Sequence, residues 1–103
     1  MKRFSFAALA LLLTVSVFAA TDDWAQHGLY TSANQSLTQS PMVVFMGNSI
    51  TQMWEEAHPD FFTTHNYACR GIGGQVSSQM LARFQTDVIQ LHPQVVVIMA
   101  GTN

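Results

Sequence analysis

Past the first twenty residues, two stretches of the chain are apolar without a break and a third is apolar with a helical period. Residues 42–46 read Met-Val-Val-Phe-Met between Pro41 and Gly47, and residues 95–99 read Val-Val-Val-Ile-Met between Gln94 and Ala100. Short unbroken runs rich in β-branched side chains and closed off by turn residues suit strands buried on both faces, as in a parallel sheet. Between them Leu81, Phe84, Val88 and Leu91 recur at steps of three, four and three. That spacing predicts an amphipathic helix, with Gln79, Arg83, Gln85 and Gln90 on its polar side, Ser77 or Ser78 as N-cap, and His92-Pro93 as its end.

The remaining elements follow from the breakers. Residues 50–57 suit a helix carrying Trp54; His58-Pro59-Asp60 interrupts it, and Pro59 can open a short second helical turn through Phe61 and Phe62. Residues 66–70 are brief and mixed, and read as a second strand running into Gly71-Ile72-Gly73-Gly74, which is too rich in glycine for a helix. Upstream, Asp22 or Asp23 can cap a helix starting near Trp24, with Trp24, Tyr30 and Leu37 on one side. Strands alternating with helices through short connections imply an α/β fold with a parallel sheet covered on both faces. Three loops, at 47–51, 71–75 and 101–103, then open on the edge where such sheets bind ligands.

Composition narrows the function classes. The chain has 103 residues, 49% hydrophobic and 10% charged, with a net charge of −2. Two of its four basic residues are Lys2 and Arg3, so no basic patch is left for nucleic acid. Lys2 and Arg3, the apolar residues 4–18 and the small residues at Val17 and Ala19 read as a secretory signal over residues 1–20, cleaved near Ala19 or Ala20. Residues 21–103 are then the folded part, secreted or periplasmic. The apolar run is short for an uncleaved membrane anchor, the alternative reading, so no stable membrane anchor is expected, and no cysteine near the cleavage site could carry a lipid. Cys69 is the only cysteine, which excludes an intrachain disulfide. The four histidines lack paired zinc spacing, so no metal is expected.

The three loops hold the parts that acyl transfer requires: a hydroxyl at Ser49, flexible backbone N–H groups at 71–75, and a carboxamide at Asn103. A serine nucleophile attacks a carbonyl, and fixed donors stabilise the oxyanion that develops. From spacing alone Ser49 reads first as the N-cap of a helix, and only the other two loops favour the nucleophile. The segment 47–51 lacks the last glycine of the G-x-S-x-G elbow, which disfavours an α/β-hydrolase. Val76 occupies the last glycine position of a dinucleotide loop, which disfavours that reading of 71–76.

Taken together, three blocks resemble the SGNH (GDSL-type) hydrolases. They are Val44-Phe45-Met46-Gly47-Asn48-Ser49-Ile50-Thr51, Arg70-Gly71-Ile72-Gly73-Gly74 and Val97-Ile98-Met99-Ala100-Gly101-Thr102-Asn103. Their order and spacing match the amino-terminal part of that family. The resemblance implies a flavodoxin-like three-layer α/β/α sandwich, here with about three strands, and an esterase without cofactor acting on a small-molecule or carbohydrate ester, acetylated sugars included. It implies Ser49 as nucleophile, with an oxyanion hole from the Ser49 N–H, the Gly74 N–H and the Asn103 side-chain amide. Asn48 stands where the wider family has Asp.

The family's base is a histidine in a late Asp-x-x-His block, which the sequence does not reach. His27, His58, His65 and His92 do not fit that pattern, and a general base must lie within hydrogen-bond reach of the hydroxyl. The chain by itself is therefore expected to be inactive, a piece of a protein about twice as long, within ordinary domain size. Two other classes stay open: a non-catalytic module that keeps the ester-binding cradle, and a nucleotide-binding α/β domain.

Overall fold

In the computed structural model, which describes residues 23–103, three strands form one parallel sheet. The elements are α1 (Thr31–Gln35), β1 (Val43–Gly47), α2 (Ser49–Ala57), α3 (Pro59–His65), β2 (Tyr67–Gly71), α4 (Ser77–Asp87), a 3-10 turn (Ile89–Leu91) and β3 (Val95–Ile98). The sheet order is β2-β1-β3, with Val43 opposite Tyr67 and Val95, and Gly47 opposite Gly71. The expected signal peptide lies outside the described residues.

The apolar run of β1 explains its central place. Val44 and Met46 turn to one face and are fully buried against Ala68, Met80, Val88 and Leu91. Burial of an aliphatic side chain of this size is worth about 1.5–3 kcal/mol. Phe45 turns to the other face, where it meets Trp54, Phe62 and Tyr67 edge-on or tilted at 5.1–5.5 Å between ring centroids. Helices α2 and α3 therefore cover one face, and α4 covers the other. The fold is a three-layer α/β/α arrangement.

Local signals set the helix boundaries. The Asn48 side chain accepts from the Ile50 N–H at 3.1 Å and caps α2, and Pro59 opens α3 at its first turn. Asn66, in the left-handed region at φ 58°, ends α3 and turns the chain into β2.

The structure departs from the sequence reading in three places. Residues 24–30 form turns and only Thr31–Gln35 is helical; Trp24, Leu29 and Leu37 stay exposed, so no apolar helical side is buried there. Asp23 accepts from the N–H groups of His27 and Gly28 at 2.8 and 3.0 Å, capping a turn instead of a long helix. The cap of α4 is Val76, whose N–H donates to Gln79 Oε1 at 3.0 Å. The buried face of α4 is also rotated from the expected stripe. Leu81 is 76% exposed, whereas Met80, Arg83 and Asp87 face the sheet. The hydrophobic pattern misses this because the buried positions include an ion pair, Arg83 Nη1 to Asp87 Oδ2 at 3.1 Å.

Candidate active site

The order β2-β1-β3 places a topological switch point at β1, and crevices for ligands in such sheets open beyond the carboxyl ends of the strands. The three expected loops all leave from that edge. Ser49 follows β1 as the first residue of α2 and is half-buried. Gly74 lies in the turn after β2, and Asn103 lies beyond β3.

Each loop is tied to the next. Asn48 Nδ2 donates to Thr102 Oγ1 at 2.8 Å, which docks the third loop onto the first. Asn103 Nδ2 donates to the backbone oxygen of Gln75 at 3.0 Å, which docks it onto the second. The Gly73 N–H donates to Gln52 Oε1 at 2.8 Å, joining the second loop to α2 one turn beyond Ser49. A methyl group on Gly73 would stand 3.7 Å from Ser49 Cβ. The structure thus brings Ser49, the glycine turn and Asn103 together around residues 73–75.

Two glycines are required for different reasons. A Cβ on Gly71 would collide with the Gln52 backbone nitrogen, and would stand 2.8 Å from Thr51 Cβ and 2.9 Å from the Asn48 oxygen. Only glycine lets the first turn of α2 approach the end of β2 this closely. Gly74 has φ +76° with open space where a Cβ would be, so its need is conformational alone. Among the described residues neither the Gly74 N–H nor the Ser49 N–H has a hydrogen-bond acceptor.

Behind the loops lies a buried polar scaffold absent from the sequence reading. Arg83, fully buried, donates through Nη2 to the backbone oxygens of Gly47 at 3.3 Å and Arg70 at 2.8 Å. Its Nε donates to Gln75 Oε1 at 2.6 Å, and Gln75 Nε2 donates onward to the Ala25 oxygen at 2.7 Å. Arg70 lies 4.8 Å from the Tyr30 ring centroid and donates to Asn34 Oδ1 at 2.9 Å and the Cys69 oxygen at 2.6 Å. These contacts hold it in place, and it makes no ion pair among the described residues. The Tyr30 hydroxyl donates to the Gly71 oxygen at 2.5 Å. Burial pushes both guanidinium pKa values down, and Asp87 acts against it. Burial likewise pushes the Tyr30 phenol and the Cys69 thiol up. The Arg83–Asp87 spacing of four was the one signal in the sequence that could have found this scaffold.

The histidines face other partners. His27 lies 3.3 Å through Nδ1 from Asp23 and 2.8 Å through Nε2 from the Ala82 oxygen. His65 Nδ1 lies 2.7 Å from the Phe61 oxygen and its ring stacks on Tyr67. His58 and His92 sit at the ends of α2 and the 3-10 turn. None of the four hydrogen-bonds Ser49. Trp54 belongs to the aromatic layer with Phe45, Phe61 and Phe62. No three His, Cys, Asp or Glu side chains gather among the described residues where a metal could bind. No helix among them is long and apolar enough to cross a membrane. An apolar groove of about 290 Å³ runs beside the third loop, lined by Met46, Met80, Leu81, Phe84, Ile98 and Ala100.

No family model matches the sequence, and no curated protein matches it significantly. Solved structures do. The crystal structure of a GDSL-like lipase from Bacteroides thetaiotaomicron is 50% identical, with a TM-score of 0.74 over 79% of this chain and 42% of that one. That of a protein assigned as an acylhydrolase from Bacteroides fragilis is 51% identical, with a TM-score of 0.75 over 80% of this chain and 41% of that one. The chain therefore spans about two-fifths of the length of each.

Proposed function

We propose, from the premise that this chain is a structural homologue of GDSL-like lipases and acylhydrolases and carries part of their fold, that it supplies the nucleophile and oxyanion hole of a serine esterase. The observation that carries this reading is the joining of the three loops at the sheet's carboxyl edge, through Asn48–Thr102, Gln52–Gly73 and Asn103–Gln75.

In the proposed reaction Ser49 Oγ bonds to the ester carbonyl carbon, and the carbonyl electron pair moves onto oxygen. The N–H groups of Ser49 and Gly74 and the second amide hydrogen of Asn103 stabilise that oxyanion. Its collapse breaks the bond to the alcohol oxygen and leaves an acyl-serine. The serine proton passes through a base to the leaving alcohol, and water then attacks the acyl carbon by the same path. The base would come from the family's Asp-x-x-His block, because none of the four histidines described above hydrogen-bonds Ser49. Export, and acetylated carbohydrate as the substrate, belong to this proposal.

A fluorophosphonate probe on the folded whole protein should add to the peptide containing Ser49, and Ser49→Ala should abolish the adduct. Labelling that survives Ser49→Ala, or none in a folded sample, would overturn the assignment.

A further inference from the structure

We infer that Gln52 is a positioning residue that decides which N–H of the glycine turn faces Ser49. This rests on the serine-esterase reading above. Three consecutive residues, Gly73, Gly74 and Gln75, bring backbone N–H groups to the same edge, and an oxyanion between Ser49 and the turn could draw on more than one. The structure assigns them different work. The Gln75 N–H donates to the Ile72 oxygen at 3.4 Å, closing the turn. The Gly73 N–H donates to Gln52 Oε1 at 2.8 Å. Only the Gly74 N–H is left without an acceptor among the described residues.

Gln52 can do this because of where α2 begins. It stands three residues after Ser49, so the two side chains project from neighbouring positions on one helical face. The close approach of Gly71 to the Gln52 backbone brings the second loop over that face. The Gln52 carboxamide then lies 3.2 Å from the Cβ position of Gly73, with Ser49 Cβ 3.7 Å from the same point. One helical turn thus carries both the hydroxyl and the acceptor that fixes the loop opposite it. If Gly73 lost its acceptor, its N–H could compete for the oxyanion and the peptide planes of the turn could rotate. Misplacement of a donor by about 1 Å costs on the order of a hundredfold in such sites.

The test uses the whole protein, base block included, and phenylboronic acid, which forms a tetrahedral, negatively charged adduct on a serine hydroxyl and so reads the oxyanion hole directly. Gln52→Met removes the acceptor at similar volume. It should speed hydrogen exchange of the Gly73 amide more than tenfold and weaken the adduct by roughly ten- to a hundredfold. Gln52→Glu keeps an acceptor oxygen. It should leave Gly73 protected, and its adduct should weaken relative to the unsubstituted chain as pH rises and the carboxyl ionises beside the anion. Should Gln52→Met fail to fold, the Gln52→Glu pH profile decides alone: a profile parallel to the unsubstituted chain overturns the inference. A freed Gly73 amide with unchanged adduct affinity also overturns it. No adduct on the unsubstituted chain, or one that survives Ser49→Ala, would instead overturn the serine reading and carry this inference with it.

Discussion

Arg83 has no exposed surface, yet its guanidinium reaches two strand ends, a loop side chain and a carboxylate. A buried ion pair gains little over an apolar substitute, but removing one partner leaves a charge without compensation. Arg83→Met should therefore cost about 3–5 kcal/mol in urea unfolding, and Arg83→Met with Asp87→Leu should recover part of that loss. Equal loss in the single and double variants would show that the backbone oxygens, not Asp87, are the partners that matter. Asn48 is a smaller example of the same economy. One side chain caps α2 and holds Thr102, so a single carboxamide serves both the first loop and the third.

Among the elements, the meeting of α2 with β2 is the tightest joint around the site. Gly71→Ala would press a methyl group on backbone atoms that cannot swing away, and should cost more than about 3 kcal/mol, the upper range for overpacking. Gly74→Ala meets no atom and should cost only about 1–2 kcal/mol, the strain of a left-handed residue. Thermal unfolding of the two variants side by side measures the difference, and the reverse order would contradict this packing. The strands and α2, α3 and α4 were legible in the sequence, because uninterrupted apolar runs and Pro, Gly and Asn breakers act locally. The side of α4 facing the sheet was legible in part: Phe84, Val88 and Leu91 pack in or against the core as expected, but hydrophobic periodicity counts Leu81 as core and Arg83 as surface. The turn-rich segment before α1 was not legible. Contacts distant in sequence hold it in place: Gln75 to the Ala25 oxygen, Gln79 to the Trp24 oxygen, and His27 against the Ala82 oxygen. The loop positions of Ser49, Gly74 and Asn103 could be read from the strand ends. The links through Gln52 and Gln75 that join those loops could not, because a glutamine on a helix has no pattern that marks its partner.

Among the described residues, the core centres on β1, β2 and the helices on them, with Val96 of β3 packed at its margin. β3 lies at a sheet edge among the described residues, and Val95, Val97 and Ile98 are each 43–58% exposed. An open, apolar edge is a template for association. Val97→Lys should raise the concentration at which the chain begins to self-associate, read by light scattering; an unchanged onset would place the sticky surface elsewhere. At the opposite end of the described chain, the segment from residue 23 is held over α4 in part by Asp23. Hydrogen bonds from the Gly28 and then the His27 N–H lower the Asp23 pKa. A lowered carboxyl pKa contributes stability in full above its unfolded value of about 3.9, and loses it as pH falls through the lower folded value. The His27 and Gly28 amides should thus stay protected at neutral pH and become mobile first on acidification below about pH 4.

The hold of Arg83 on Gly47 and Arg70 gives the crevice a shared hinge-pin. Because one rigid, planar group on α4 grips the last turns of two neighbouring strands, any tilt of that helix would swing both rims of the cleft in the same direction. Substitutions along the outer side of α4, such as Gln85→Lys, should therefore leave the spacing between the hydroxyl and the glycine turn unchanged, whereas loss of the Arg83 guanidinium should let the two rims move separately.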